Sequence, residues 1–140
     1  MHYQFFQNKP KINNEIIKLY AGLVTYGIKK VYVMPDYSDI SRRAREQYSG
    51  QIETLVIDTN ILDAEETTIQ SAKIMEANKV GCIVVFGGDG TCRLVSKHIN
   101  ETPILPISTG TNNLFPLNLE GTVAGIAVAK FCSLKNIENH

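Results

Sequence analysis

At residues 82–91 the chain reads Cys82-Ile83-Val84-Val85-Phe86-Gly87-Gly88-Asp89-Gly90-Thr91, an apolar run that stops at a glycine-rich turn. A short apolar run bounded by turn residues is typical of a buried strand, and we expect this one to cover residues 81–86. A helix is expected to begin at about Thr91, so that its N–H donors and the positive end of its dipole point towards the turn. The turn is therefore predicted to bind a phosphate group.

Three glycines and a carboxylate give this turn its expected chemistry. Gly87, Gly88 and Gly90 have no Cβ, so they can adopt positive φ and let a ligand approach the backbone amides. Asp89 adds a base for a hydroxyl or a ligand for a metal ion. The alternative is a tight strand-to-helix turn in which Asp89 is the helix N-cap. The third glycine of the dinucleotide-binding fingerprint and the Gly-Lys-Ser/Thr of the P-loop are both absent.

Strands and helices alternate on both sides of the turn. We expect strands at 31–34, 51–57, 81–86 and 103–107, and helices at 14–26, 40–48, 64–78, 91–99 and 120–131. Such alternation favours right-handed βαβ units, and hence a three-layer, Rossmann-like α/β fold with a mostly parallel sheet. The length of 140 residues predicts a single domain over residues 1–140.

Composition excludes several classes of function. Basic and acidic residues balance at 14 each, which leaves no electrostatic reason to expect nucleic acid or an acidic membrane as a partner. The three cysteines lack metal-ligand spacing and are expected to be reduced, as in a cytoplasmic protein. The N-terminus has no signal-peptide pattern and no apolar run is long enough to span a bilayer.

A second polar motif follows the last predicted strand. It consists of Ser108, Thr109, Gly110, Thr111, Asn112 and Asn113. Hydroxyls suit phosphate oxygens, and carboxamides can donate and accept at once, which suits ribose hydroxyls or a base edge. Local Asx and Ser/Thr turns are the alternative. Ligands of parallel sheets bind beyond the carboxyl ends of the strands, where this motif, the glycine turn, Asp36 and Asp58 are all expected.

The two motifs together resemble those of the ATP-NAD kinases and their relatives. Gly-Gly-Asp-Gly-Thr at 87–91 is shared with diacylglycerol and sphingosine kinases. The longer stretch at 106–116, followed by Glu-Gly-Thr-Val-Ala-Gly at 120–125, is most similar to the acetoin-catabolism protein X branch of the NAD-kinase-like proteins. The resemblance implies the N-terminal domain of the NAD kinase-like fold. It also implies a chain that is shortened at both ends relative to the family and lacks the β-rich C-terminal domain.

The resemblance also implies roles for the motif residues. The family transfers the γ-phosphoryl group of ATP to a hydroxyl, with Mg²⁺, mainly by positioning and charge neutralisation. Gly87, Gly88 and Gly90 would present backbone to phosphate, and Thr91 would hydrogen-bond a phosphate. Asp89 would accept the proton of the attacked hydroxyl or hold Mg²⁺. Ribose or further phosphate oxygens would be held by Thr109, Gly110, Thr111, Asn112 and, through its carboxamide, Asn113.

Two functions remain open at this level. One is an enzyme-derived domain that binds ATP or NAD(P) and phosphorylates a hydroxyl. The other is a non-catalytic module that binds a nucleotide or phosphorylated metabolite, or a half that needs a partner chain; a lipid kinase fragment fits less well.

The last helix reads Thr-Val-Ala-Gly-Ile-Ala-Val-Ala-Lys-Phe at 122–131 and is apolar almost all round. Such a helix is normally buried on more than one side, so a homo-oligomer or a separate partner chain is expected.

Overall fold

Helices and strands alternate along the part of the chain that the computed structural model describes, residues 9–35, 39–60, 63–108 and 120–138. The α-helices are Lys9–Leu23 (α1), Arg42–Gln47 (α2), Ala64–Ala77 (α3), Asp89–His98 (α4) and Gly121–Glu138 (α5). The strands are Lys30–Val33 (β1), Glu53–Val56 (β2), Ile83–Gly87 (β3) and Ile104–Ser108 (β4). A short 3₁₀ helix, Val24–Tyr26, extends α1. The α/β class expected from the sequence is confirmed.

The strands pair in parallel, as the alternation of strand and helix predicts. β1 pairs with β2 from Lys30–Glu53 to Val33–Val56. β3 pairs with β4 from Ile83–Ile104 to Gly87–Ser108. Within the described residues these are two separate two-stranded sheets, with no ladder joining β1 to β3.

The core is built around one face of α1 and both faces of β3. On α1, Ile12, Ile16, Leu19 and Leu23 recur at helical spacing and are buried. They pack with Phe86 of β3 in the larger apolar cluster. Successive side chains of a strand point to opposite faces, so the neighbours of Phe86 enter a second cluster with α3 and α4. That cluster contains Ala72, Ile83, Val85, Cys92 and Val95.

Glycines allow α1 and α5 to pack closely. A Cβ on Gly125 would overlap the carbonyl oxygen of Leu19 and lie 2.9 Å from the Cα of Gly22. The Gly121 N–H donates to Oε2 of Glu15 at 2.7 Å, which ties the start of α5 to α1. The small residues of α5 therefore allow close contact with a helix of the same chain.

The carboxylate of one residue links the end of α3, through hydrogen bonds, to the loop that precedes β4. Glu76 accepts the N–H groups of Asn100, Glu101 and Thr102, each at 3.0 Å, and the Thr102 hydroxyl at 2.9 Å. The Asn100 and Thr102 amides, in that order, lower the pKa of Glu76 from 4.5 to about 2. This contact fixes where β4 begins beside β3.

The predicted boundaries hold to within a few residues at most helices and strands. Gly27 ends the first helical segment in the left-handed conformation, with φ 77°, as expected of a C-cap. Asp63 caps α3 by accepting the N–H groups of Glu65 and Glu66. The helix expected at 40–48 is shorter, and α5 runs on past residue 131. No helix among residues 9–35, 39–60, 63–108 and 120–138 is both long and apolar enough to cross a membrane.

Candidate functional site

The β3–α4 junction carries the glycine-rich motif. β3 ends at Gly87, and Gly88 is the N-cap of α4, with φ −97° and ψ −171°. The helical hydrogen bonds begin with the Cys92 N–H donating to the Gly88 carbonyl at 3.2 Å. The helix thus starts two residues before the expected Thr91, because extended Gly88 takes the conformation that an N-cap requires. Asp89 is the first helical residue, and its interpretation as the N-cap is wrong.

The glycines of this turn matter because they have no side chains that would crowd neighbouring residues. Among the described residues the one glycine with positive φ is Gly27, so the expected left-handed backbone at Gly87, Gly88 and Gly90 is wrong. A Cβ on Gly87 would lie 2.9 Å from Oγ1 of Thr91 and 3.0 Å from its Cβ. Gly87 therefore leaves space for the Thr91 side chain, in the first turn of α4, to lie against the strand end.

Asp89 stands at the helix end where the dipole favours negative charge. Its side chain is half-buried in the first turn of α4. Burial, and then the nearby Asp89 carboxylate, raise the pKa of the Cys92 thiol one turn further on. Cys92 is buried in the core beside Val95, so its thiol is a packing group while Asp89 supplies the charge of the turn.

The parallel register brings the two motifs together. Gly87, the last residue of β3, lies opposite Ser108, the last residue of β4. The motif that starts at Ser108 therefore begins beside the glycine turn, at the carboxyl edge that Rossmann-like folds use for ligands. Thr109, Gly110, Thr111, Asn112 and Asn113 lie outside the described residues. Asp36 also lies outside them, while Asp58 is exposed after the end of β2.

A cavity of about 520 Å³ lies next to this junction and was not expected from the sequence. Residues of β1 and β3 line it, and its lining reaches the candidate site at Thr91. Residue patterns predict each strand, but they do not say which strand edges are left unpaired, so they carry no signal for such a space.

The described residues contain no group of three or more histidine, cysteine or acidic side chains that could hold a metal ion. His98 is a structural group, because its Nδ1 contacts the Leu94 carbonyl at 2.9 Å in the last turn of α4. The three cysteines are free thiols. Asp89 is the acidic side chain in the first turn of α4.

Two comparisons with known proteins show what the chain is similar to. The family described as ATP-NAD kinase N-terminal domain matches residues 12–120. Acetoin catabolism protein X of Cupriavidus necator is 32% identical over 127 residues, covering 86% of this chain and 35% of that protein. The chain thus spans well under half the length of this relative. No solved structure gives a significant match.

Proposed function

Because the chain belongs to the ATP-NAD kinase family through that family's N-terminal domain, we propose that it is the nucleotide-binding part of an NAD-kinase-like protein. The reaction is transfer of a phosphoryl group from ATP to a hydroxyl of an acceptor such as NAD. The observation that carries this proposal is the junction of β3 and α4, where Gly87 to Thr91 begin a helix directly beside Ser108 of β4.

The residues of the junction suit phosphoryl transfer, in which the protein mainly positions groups and neutralises charge. The amino-terminal turn of α4 offers backbone N–H groups and a positive dipole end to phosphate oxygens. Gly88 and Gly90 leave those amides uncovered by side chains. Asp89 accepts the proton of the attacked hydroxyl or, as the alternative, holds Mg²⁺, and the Thr91 hydroxyl binds a phosphate oxygen. Thr109 to Asn113 continue the site towards ribose, with the carboxamides of Asn112 and Asn113 donating and accepting at once.

The donor set also fits a magnesium ion. Mg²⁺ is usually held by one or two carboxylates together with substrate phosphates and water, so a dedicated cage of side chains is not required. Asp89, half-buried in the first turn of α4, would be that carboxylate ligand. When bound with nucleotide, Mg²⁺ supplies charge neutralisation on the phosphate oxygens.

A non-catalytic binding module is the second candidate. Phosphoryl transfer needs binding groups for the acceptor hydroxyl in addition to the phosphate turn, whereas nucleotide binding can use the turn alone. In this form the junction binds a nucleotide or a phosphorylated metabolite without transferring a group, or it acts together with a partner chain. A cytoplasmic location, where nucleotides are abundant and free thiols persist, belongs to both candidates.

Calorimetric titration with Mg-ATP and with NAD tests the binding site. We expect weak binding that disappears in Gly88→Val, because a branched side chain would stand among the amide donors. The backbone of Gly88 at φ −97° is one that valine adopts, so the circular dichroism spectrum should stay native. Gly50→Val, in an exposed turn with open space around it, is the control.

Unchanged affinity in Gly88→Val would exclude this turn as the site. Formation of NADP from NAD and Mg-ATP separates the two candidates. Product formation supports the kinase, and saturable binding with no product over long incubation supports the binding module.

A further inference from the structure

Two of the three cysteines meet where β3 begins, although they are far apart in the chain. Cys82 directly precedes β3, and Cys132 lies in the second half of α5. Both side chains pack against the larger apolar cluster, and both line the same cavity. The fold therefore brings the two thiols into one neighbourhood.

The alternation of side chains along β3 directs Cys82 towards α5. Val84 and Phe86 pack in the larger cluster, which also contains Val128 of α5. Successive side chains of extended backbone point to opposite faces, so Cys82 is in phase with Val84 and Phe86. Its thiol therefore faces the layer in which α5 lies.

The helical period of α5 places Cys132 on the inner side of that helix. Ala124 and Val128 are buried, and Cys132 is the next residue of the same row. Gly81, the residue before Cys82, leaves space for it: a Cβ at Gly81 would lie 2.7 Å from Sγ of Cys132 and 3.4 Å from its Cβ. The Cys132 thiol thus lies directly against the backbone that leads into Cys82.

The electrostatics of the pair agree with this closeness. Burial, and then the Cys132 thiol, raise the pKa of Cys82 to about 11. Burial also raises the pKa of Cys132, and the ammonium group of Lys135, one turn further along α5, opposes that effect. Lys135 thus favours a thiolate at Cys132, which is the form of cysteine that reacts with oxidants.

Both thiols are also accessible to small molecules. Cys82 and Cys132 are half-buried, whereas Cys92 is 5% exposed inside the second cluster. The oxidation of cysteines follows thiolate character and exposure. Hydrogen peroxide is little larger than water, so it can approach the half-buried pair more easily than it can approach Cys92.

We propose that Cys82 and Cys132 are a redox modification site, in which hydrogen peroxide converts the two thiols into a disulfide that links the start of β3 to α5. The Cys132 thiolate attacks one peroxide oxygen, the O–O bond breaks, and hydroxide leaves while Cys132 becomes a sulfenic acid. The Cys82 sulfur then attacks the Cys132 sulfur, the S–O bond breaks, and the oxygen leaves as water. The hydroxide takes up the proton that Cys132 lost. Two thiols thus lose two electrons and two protons, and one peroxide becomes two waters.

The disulfide joins α5 to the strand that carries the glycine turn at its other end. It closes a loop of about 50 residues, and a cross-link over a loop of that length restricts the unfolded chain strongly. The oxidised chain is therefore expected to unfold at a Tm roughly 5 °C or more above that of the reduced chain. A thiol reductant reverses the link by exchange.

Peptide mapping of the full chain after treatment with hydrogen peroxide tests the pair directly. Folded protein is oxidised at low concentration, the remaining thiols are alkylated, and linked peptides are identified by mass spectrometry without reduction. The same treatment in urea is the control. In an unfolded chain the shorter loop closes more readily, by roughly tenfold, so Cys82 should pair mostly with Cys92 there.

We expect the folded chain to yield the link between Cys82 and Cys132 within one chain, with Cys92 still a thiol. The intact mass should fall by two hydrogen atoms, and dithiothreitol should reverse both this loss and the gain in Tm. Cys92→Ala should keep the link, and Cys132→Ser should lose it together with the gain in Tm. Cysteines of the unmodified folded chain that are oxidised separately, that pair as they do in urea, or that link only between chains would overturn the proposal.

Discussion

In the proposed kinase reaction Asp89 accepts the proton of the attacked hydroxyl, a role that a turn which only binds phosphate does not need. We expect Asp89→Asn to reduce any phosphoryl-transfer turnover roughly a hundredfold or more, because a positioned proton acceptor is lost. Asparagine has nearly the same shape at the first helical position, so Tm should hardly change. Glu53→Gln, which removes an exposed carboxylate at the start of β2, at the opposite end of the strand from the candidate site, is the control and should leave turnover unchanged.

A contrary pattern would assign Asp89 a structural role. If Asp89→Asn lowers Tm strongly and leaves turnover intact, the carboxylate stabilises the helix start and takes no part in catalysis. The structure gives a different physical reason for the glycine at position 87 from the one that the sequence suggests. Its backbone is not left-handed, and the absence of a side chain instead leaves space for Thr91.

At the scale of elements, Glu76 links α3 to the start of β4 in a pH-dependent way. Its pKa is about 2 in the folded protein and 4.5 as its ordinary value. A lowered pKa contributes stability that is present above pH 4.5 and lost as the pH falls from 4.5 towards 2. We expect Glu76→Gln to reduce stability at neutral pH and to flatten this acid-induced loss, measured by urea unfolding at each pH.

Glu46→Gln is the control for the loss of stability between pH 4.5 and 2. Glu46 is exposed on α2 and does not contact the loop at residues 100–102. It should leave the acid profile unchanged. A Glu76→Gln protein that loses stability between pH 4.5 and 2 as steeply as the unmodified chain would contradict the assignment of this carboxylate.

The packing of α1 against α5 gives a second prediction at this scale. Gly125→Ala should destabilise the fold by about 1–3 kcal/mol, because the added methyl group would collide with the backbone of Leu19 and Gly22. Gly50→Ala places the same methyl group in open space and should change stability by less than about 1 kcal/mol. Chemical denaturation measures both. Equal effects would show that the two helices separate easily at Gly125.

At the scale of the molecule, α5 presents an apolar stripe to the outside. Val123, Ile126, Phe131 and Leu134 are 36–53% exposed, while Ala124, Val128 and Ala129 pack inside the core. Val128→Glu would therefore damage the fold itself and is unsuitable as a probe of assembly. The homo-oligomer stays a prediction, and the exposed apolar stripe of α5 is the expected interface. In a two-fold symmetric dimer this stripe would pack against the same stripe of the second copy.

Light scattering across the micromolar range should show a dimer that Ile126→Glu converts to a monomer with little change in Tm, because a carboxylate would be buried at the interface. Gln47→Glu adds the same charge on the exposed side of α2 and should leave the dimer intact. A monomer for the unmodified chain would exclude the homo-oligomer and leave a separate partner as the remaining form.

Much of the local structure follows from the sequence by itself. Three features depend only on neighbouring residues: the apolar run at 82–86, the glycine turn after it and the C-cap at Gly27. The structure has each of them close to where the residue pattern predicts it. The α/β class follows from the same patterns, because the periods of helices and strands are local. The family likeness of the two motifs also lies in the sequence alone.

Only the tertiary structure decided how these elements meet. Gly87 lies opposite Ser108, α5 packs on α1, and residues of β1 and β3 line one cavity. Each of these contacts joins segments that are far apart along the chain. Their partners are chosen by backbone hydrogen bonding and shape complementarity between whole surfaces, which the period of a single segment does not encode.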